Sequence, residues 1–195
     1  MNDALPASPA RLTDLLDRIN RMARGLQYAH GLNPAQWDAL RFAARVNKYS
    51  RSPGALARFL GTTKGTASQT INALEKKGLL TRQADPEDKR IRQIVLTPAG
   101  EALLARDPLN CLDVAVRNLT PEVADVIAAG LGQLTRDLQD RCGGNDVGIC
   151  FQCGHFGGVT RDGGARCGFE QADVPCEEAN KLCINFRSNS RVNCS

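Results

Sequence analysis

No apolar run in this 195-residue chain approaches the roughly 20 residues that span a bilayer. The N-terminal stretch from Met1 to Leu26 lacks a basic start followed by an unbroken apolar core. No secretory signal is therefore expected, and the cytoplasm is the expected compartment. In that compartment eight cysteines argue for metal or redox chemistry rather than for disulfides. A nucleophile beside a base, a phosphate-binding glycine loop and a notable carboxylate pair are all missing, which argues against an enzyme. An overall excess of one charge is missing too, since the net charge is only +4.

The charge that is present is uneven. Residues 51–100 carry nine Lys/Arg (Arg51, Arg58, Lys64, Lys76, Lys77, Arg82, Lys89, Arg90, Arg92) against four acids (Glu75, Asp85, Glu87, Asp88). This local excess exceeds that of the whole chain and suits a surface that meets a phosphate backbone. Helix starts repeat one chemical signature: Ser8-Pro9, Asn33-Pro34, Ser52-Pro53, Thr97-Pro98 and Thr120-Pro121 each set a capping side chain before a proline. The pattern predicts helices over about 9–28, from 34, from 53 to Gly61, from Thr62 or Thr63 to Lys77, from 98, and from 121 to about 141. Pro108 makes the helix that follows Pro98 either one kinked helix or two. Strands are expected at Leu79–Gln83 and Ile91–Leu96, with Ala84–Lys89 as the hairpin tip. Trp37, Leu40, Phe42 or Ala44, Leu56, Phe59, Leu60, Ala67, Ile71 and Leu74 are expected inside. Tyr28 is expected in the core as well.

Residues 52–100 thus read as a winged helix-turn-helix, in which the second helix enters the major groove with its N-terminal side chains at base edges. Those side chains are Thr62, Thr63, Lys64, Thr66, Ser68, Gln69 and Thr70, and Gln69 suits adenine. The hairpin adds Lys89, Arg90 and Arg92 for the backbone or minor groove. The tract resembles the MarR (multiple-antibiotic-resistance regulator) family. The matching parts are Ala55–Gly61, Thr66–Leu80, the wing run Asp85-Pro86-Glu87-Asp88-Lys89-Arg90, and Leu96-Thr97-Pro98-Ala99-Gly100. With the flanking helices the resemblance extends over about residues 8–141. It implies a homodimer joined by the terminal helices, bound to a pseudo-palindromic double-stranded DNA operator. It also implies that Asp88 braces Arg90 as Arg90 enters the minor groove. Many relatives respond to aromatic ligands, but nothing in the sequence singles out a pocket for one. Typical members end with the last dimerisation helix; this chain continues.

The continuation, residues 142–195, holds seven of the eight cysteines and little helical periodicity. A segment this small seldom folds on an apolar core alone and needs a staple. The spacing Cys150-x2-Cys153-x13-Cys167-x15-Cys183 offers four thiolates for zinc or an iron–sulfur cluster. Cys176 rivals Cys183, and His155 is a possible substitute ligand. Cys111, Cys142 and Cys194 are expected to be free. Cys153-Gly154-His155 resembles a zinc-ribbon or rubredoxin knuckle. The larger arrangement, with Phe156 and Phe186 each three residues after a ligand, is similar to high-potential and other small four-iron four-sulfur (4Fe-4S) modules. The cluster is the favoured occupant and zinc the alternative.

The expected fold is mainly α with a small β-wing. It comprises a winged helix-turn-helix and helical dimerisation bundle over 1–141, with the reader at 52–100. A small metal-stapled irregular module follows over 142–195. The expected function is a DNA-binding regulator, a repressor, whose operator affinity follows the state of the cluster and so senses redox, oxygen or iron status. Adjacency in the chain suggests that the cluster acts on the dimerisation helices. The alternative is a structural zinc site in a regulator that answers to a small aromatic ligand.

Overall fold

The computed structural model describes residues 8–85, 89, 92–142 and 147–188, with only the backbone of Cys142. Helix α1 (Pro9–Leu26) begins where Ser8 Oγ accepts the Arg11 amide at 3.3 Å. Helix α2 (Pro34–Arg45) opens on a reciprocal capping box between Asn33 and Gln36. Ser52 caps α3 (Pro53–Phe59), Thr63 caps α4 (Lys64–Lys76), and Thr97 caps α5 (Pro98–Leu104), each by accepting an amide three residues on. Each such bond is worth about 1 kcal/mol of helix stability. The helix after Pro98 is in fact two, α5 and α6 (Asn110–Arg117), because Pro108 cannot continue the ladder. The Asp107 carboxylate accepts the Leu109 amide at 2.8 Å and starts the new turn. Helix α7 (Pro121–Cys142) follows.

Gly61 and Gly78 end α3 and α4 at φ +61° and +69°, a conformation that L side chains resist. The chain then enters β1 (Leu80–Ala84), which pairs antiparallel with β2 (Arg92–Leu96), Leu80 facing Leu96 and Ala84 facing Arg92. Gly100 seals the base of this wing. A Cβ there would stand 2.1 Å from the Leu79 carbonyl oxygen, so no other residue fits.

The core is built from Trp37, Leu40 and Phe42 of α2, Leu56 of α3, Ala67, Ile71 and Leu74 of α4, and Leu80 and Ile94 of the wing. Phe42 is the inward residue and Ala44 is exposed. Phe59 and Leu60 are only partly buried against this core. Tyr28 is 74% exposed, against the expectation that it joins the core. It lies in the turn past α1, and the following Ala29 carbonyl is the one that engages Trp37, at 3.4 Å from the indole nitrogen. Apolar stripes on α1 (Leu12, Ile19, Met22) and α7 (Val126, Ile127, Leu131, Leu138) stand exposed in the single chain.

The cysteine-rich segment is more regular than its sequence suggests. Strands β3 (Phe156–Val159), β4 (Ala165–Cys167) and β5 (Ala172–Val174) form an antiparallel sheet in that order, followed by the single-turn α8 (Cys176–Ala179). Strands of three or four residues are too short for alternation to show in the sequence. A small core of Cys150, Ala165, Val174 and Ala179 lies beneath, completed by Phe151 and by Tyr49 from the segment before α3. Ile184, 4% exposed, joins the winged-helix core, and Val147 and Leu182 pack against it. Among the described residues no helix is long and apolar enough to cross a membrane.

Candidate nucleic-acid interface and cysteine cavity

The N-terminal half of α4 presents Thr63, Lys64, Thr66 and Gln69 to solvent, with Thr62, Ser68 and Thr70 half-buried beside them. This is the set expected to read DNA. Its hydroxyls are partly ordered within the helix: Thr63 Oγ1 lies 3.0 Å from Thr66 Oγ1, and Thr70 donates to the Thr66 carbonyl. Lys89 and Arg92 are exposed on the wing. Asp88 and Arg90 lie outside the described residues.

One anchoring group escaped the sequence reading. Arg82 of β1 reaches back to α4, pairing with the Glu75 carboxylate and donating to Asn72 Oδ1 at 2.8 Å, while its amide meets Glu75 at 3.0 Å. Wing and recognition helix are thereby tied together. Only the reversal at Gly78 brings these side chains into reach, so linear spacing gives no hint of them.

A second clamp orients the terminal helices against the reader. Arg41 of α2 makes a two-pronged pair with Asp107 at 2.6 and 2.7 Å. It also bonds Asp38 and Gln27 at 2.9 Å each, and its guanidinium lies 5.7 Å from the Trp37 ring centroid. Burial alone would raise Asp107, but the Arg41 bonds and the Leu109 amide hold it below the usual carboxylate range. Burial dominates at Asp38 and pushes it up despite Arg41. Beside this clamp an open groove of about 1020 Å³, mouth included, separates α1 and α2 from α4. Arg24, Asp38, Leu60 and Thr66 are among its lining residues.

The cysteine spacing converges in space. Cys150, Cys153, Cys167 and Cys183 line one cavity of about 330 Å³, mouth included, with Phe156, Phe169 and His155 as its walls. Cys150 and Cys153 are buried thiols. Burial, then the neighbouring Cys183, Cys167 and Cys153, push the Cys150 thiol up to about 11. Backbone amides point at the sulfurs: His155 and Arg187 donate to Cys153 Sγ at 3.4 Å, and Glu170 donates to Cys167 Sγ at 3.5 Å. Cys176 is exposed on α8, with its sulfur near Asn180, and does not line the cavity. Cys111 is an exposed thiol on α6. The Cys142 side chain and Cys194 lie outside the described residues. Among the described residues no three His, Cys, Asp or Glu side chains are grouped so as to hold a single metal ion.

The knuckle is braced by close packing. Residues 148–153 run beside 183–188, with bridges Gly148–Cys183 and Cys153–Ser188. The Phe186 ring lies so close over Gly148 that a Cβ there would meet it at 2.6 Å.

The segment also docks on the reader, not at its point of attachment alone. Leu182 forms a parallel bridge with Val46: its amide donates to the Arg45 carbonyl at 2.8 Å, and its carbonyl accepts the Asn47 amide at 2.9 Å. The Ile184 amide donates to the buried Ser50 hydroxyl at 2.9 Å. Arg58 of α3 donates to the Ile184 carbonyl at 3.1 Å and to Asn185 Oδ1 at 3.3 Å. Glu178 accepts the Lys48 amide at 2.7 Å and pairs with Arg51 at 3.1 Å.

Comparison with known proteins matches residues 30–91 to the sequence profile of the MarR family. The transcriptional repressor MprA of Escherichia coli is 30% identical over 131 residues, covering 65% of this chain and 69% of that protein. The HTH-type transcriptional repressor YetL of Bacillus subtilis is 25% identical over 130 residues, covering 65% of this chain and 78% of its own. Across the first curated relatives the chain spans 52–91% of their length. The crystal structure of the S. aureus MepR–DNA complex shares the fold, with a TM-score of 0.53 at 20% identity over 68% of this chain and 97% of that one.

Proposed function

The chain belongs to the MarR family of transcriptional regulators, and on that footing we propose that it is a repressor. It binds operator DNA as a homodimer, and its affinity follows the state of an iron–sulfur centre held by Cys150, Cys153, Cys167 and Cys183. DNA binding rests on the α4 face and the wing. In a two-fold dimer two such faces stand about 34 Å apart, one per major groove. The exposed apolar stripes of α1 and α7 supply the surface that pairs the protomers.

The observation that carries the metal reading is the convergence of four thiols, drawn from residues 150 to 183, on one aromatic-walled cavity in which the Cys153 and Cys167 sulfurs receive backbone amides. Amide donors stabilise thiolate ligands, and apolar walls help set a cluster's potential by limiting solvent. A single tetrahedral zinc, with zinc–sulfur bonds near 2.3 Å, draws its sulfurs to within about 3.8 Å of one another. A four-iron cluster takes one thiolate per iron and spaces them more widely. The four thiols that line the cavity could serve either centre, and the aromatic walls favour the cluster. When bound, the centre supplies one-electron redox chemistry and lability to oxygen; Phe156 and Phe169 limit water's access to it.

Anaerobic purification with metal analysis and visible spectroscopy tests this. A brown protein carrying iron and sulfide in cluster stoichiometry is expected, and its duplex affinity changes on oxidation. A colourless protein with one zinc, or operator binding that is equal for loaded, oxidised and stripped forms, overturns it. A second reading is favoured by the groove between α1, α2 and α4. There a small anionic aromatic ligand would meet Arg24 and press on the Thr66 side of the recognition helix.

A further inference from the structure

We propose that the cysteine centre governs DNA binding within its own protomer, through the segment around Cys183 and its grip on the helix-turn-helix. The loaded centre is then the DNA-binding state. This rests on the metal-centre reading above and takes a different route from the one suggested by adjacency in the chain, which runs through the dimerisation helices.

Leu182 and Cys183 sit in single bridges to Val46 and Gly148, and the chain turns at Ile184 and Asn185. Cys183 faces the thiol cavity, while Leu182 and Ile184 on either side of it face the reader core. A ligand bond at Cys183 therefore fixes the register of its two neighbours. Those neighbours hold the segment that leads into α3: Leu182 through Arg45 and Asn47, Ile184 through Ser50 and Arg58. Arg58 is the last full turn before Gly61 and the start of the recognition helix. The same docked module reaches the wing, because Glu178 pairs with Arg51, whose carbonyl accepts the Ile94 amide of β2 at 2.6 Å. Both DNA-reading elements thus hang from one docked module.

The seam also carries a cost. Asn47 is 1% exposed, and its side-chain oxygen lacks a hydrogen-bond partner although it sits beside the Leu182 bridge. A buried acceptor left unpaired costs about 1–3 kcal/mol, which opening of the seam would recover by hydration. That cost lowers the net gain of docking, and a ligand bond at Cys183 adds to that gain. Stripping the centre frees Cys183, loosens Leu182 and Ile184, and lets α3 and the root of the wing move independently of each other.

The test uses the full-length protein, purified anaerobically, and a duplex selected by it from a random-sequence library. Amide exchange is followed in loaded and stripped forms. Stripping is expected to lower protection over residues 45–60 and 181–187, and duplex affinity, each by about tenfold or more, with α7 unchanged. Glu178→Gln and Ser50→Ala should keep iron content, helix content and dimer mass while shrinking the affinity difference between loaded and stripped protein. A preparation free of iron sinks the underlying reading before any duplex is added. A brown preparation whose exchange over 45–60 is the same in both forms, or changes in α1 and α7 instead, sinks the route alone.

Discussion

At Asp107 a single carboxylate decides how firmly the terminal helices are held. Its side chain is 8% exposed and pairs with Arg41, itself 13% exposed. Removing one partner strands the other charge, so Asp107→Asn should cost about 2 kcal/mol at neutral pH, read as a lower urea midpoint at unchanged slope. The pH dependence has a definite sign. The folded pKa of Asp107 is depressed, so the pair stabilises above the unfolded carboxylate value of about 3.9 and loses its contribution as pH falls through the folded value. The difference between wild type and Asp107→Asn should therefore close in acid. A second residue-scale outcome concerns Gly148. Gly148→Ala drives a methyl into the Phe186 ring and should displace the 183–188 segment. On the proposed iron–sulfur reading, iron content should then be lost while the helical dimer persists, as measured by metal analysis beside circular dichroism.

Among the elements, the wing and α4 act as one body because Arg82 bridges them. Arg82→Ala should weaken duplex binding through loss of the wing's alignment, with little change in helix content. Lys89→Ala and Arg92→Ala should instead each lower the slope of log affinity against log salt by about one, the signature of a lost phosphate contact. Element by element, legibility followed locality. The cap-proline pairs, Gly61 and Gly78 act within one turn, so helix starts and stops could be read from the sequence. The Pro108 break was visible as a break, although its outcome was not. Arg82–Glu75 and Arg41–Asp107 could not be read, because each pair meets only after the chain folds back. The β3–β5 sheet was hidden by the shortness of its strands.

For the whole molecule, the apolar stripes of α1 and α7 predict an obligate dimer. Leu131 is 44% exposed in the single chain, and Leu131→Asp should yield monomers by analytical ultracentrifugation and abolish binding to a two-half-site duplex. The four-cysteine pattern made the cavity legible, since spacing is what such a centre requires. The docking of Leu182 and Ile184 was not legible: two aliphatic residues beside a cysteine carry no mark of a partner well over a hundred positions away. That docking is contained entirely in one chain, and its contacts run to residues 45–58 of the same protomer. On the proposed route, each half of a two-fold assembly carries its own catch. A mixed dimer, one half intact and one damaged, would keep a single foot on the operator, so repression would yield in two stages and report the extent of injury rather than only its presence.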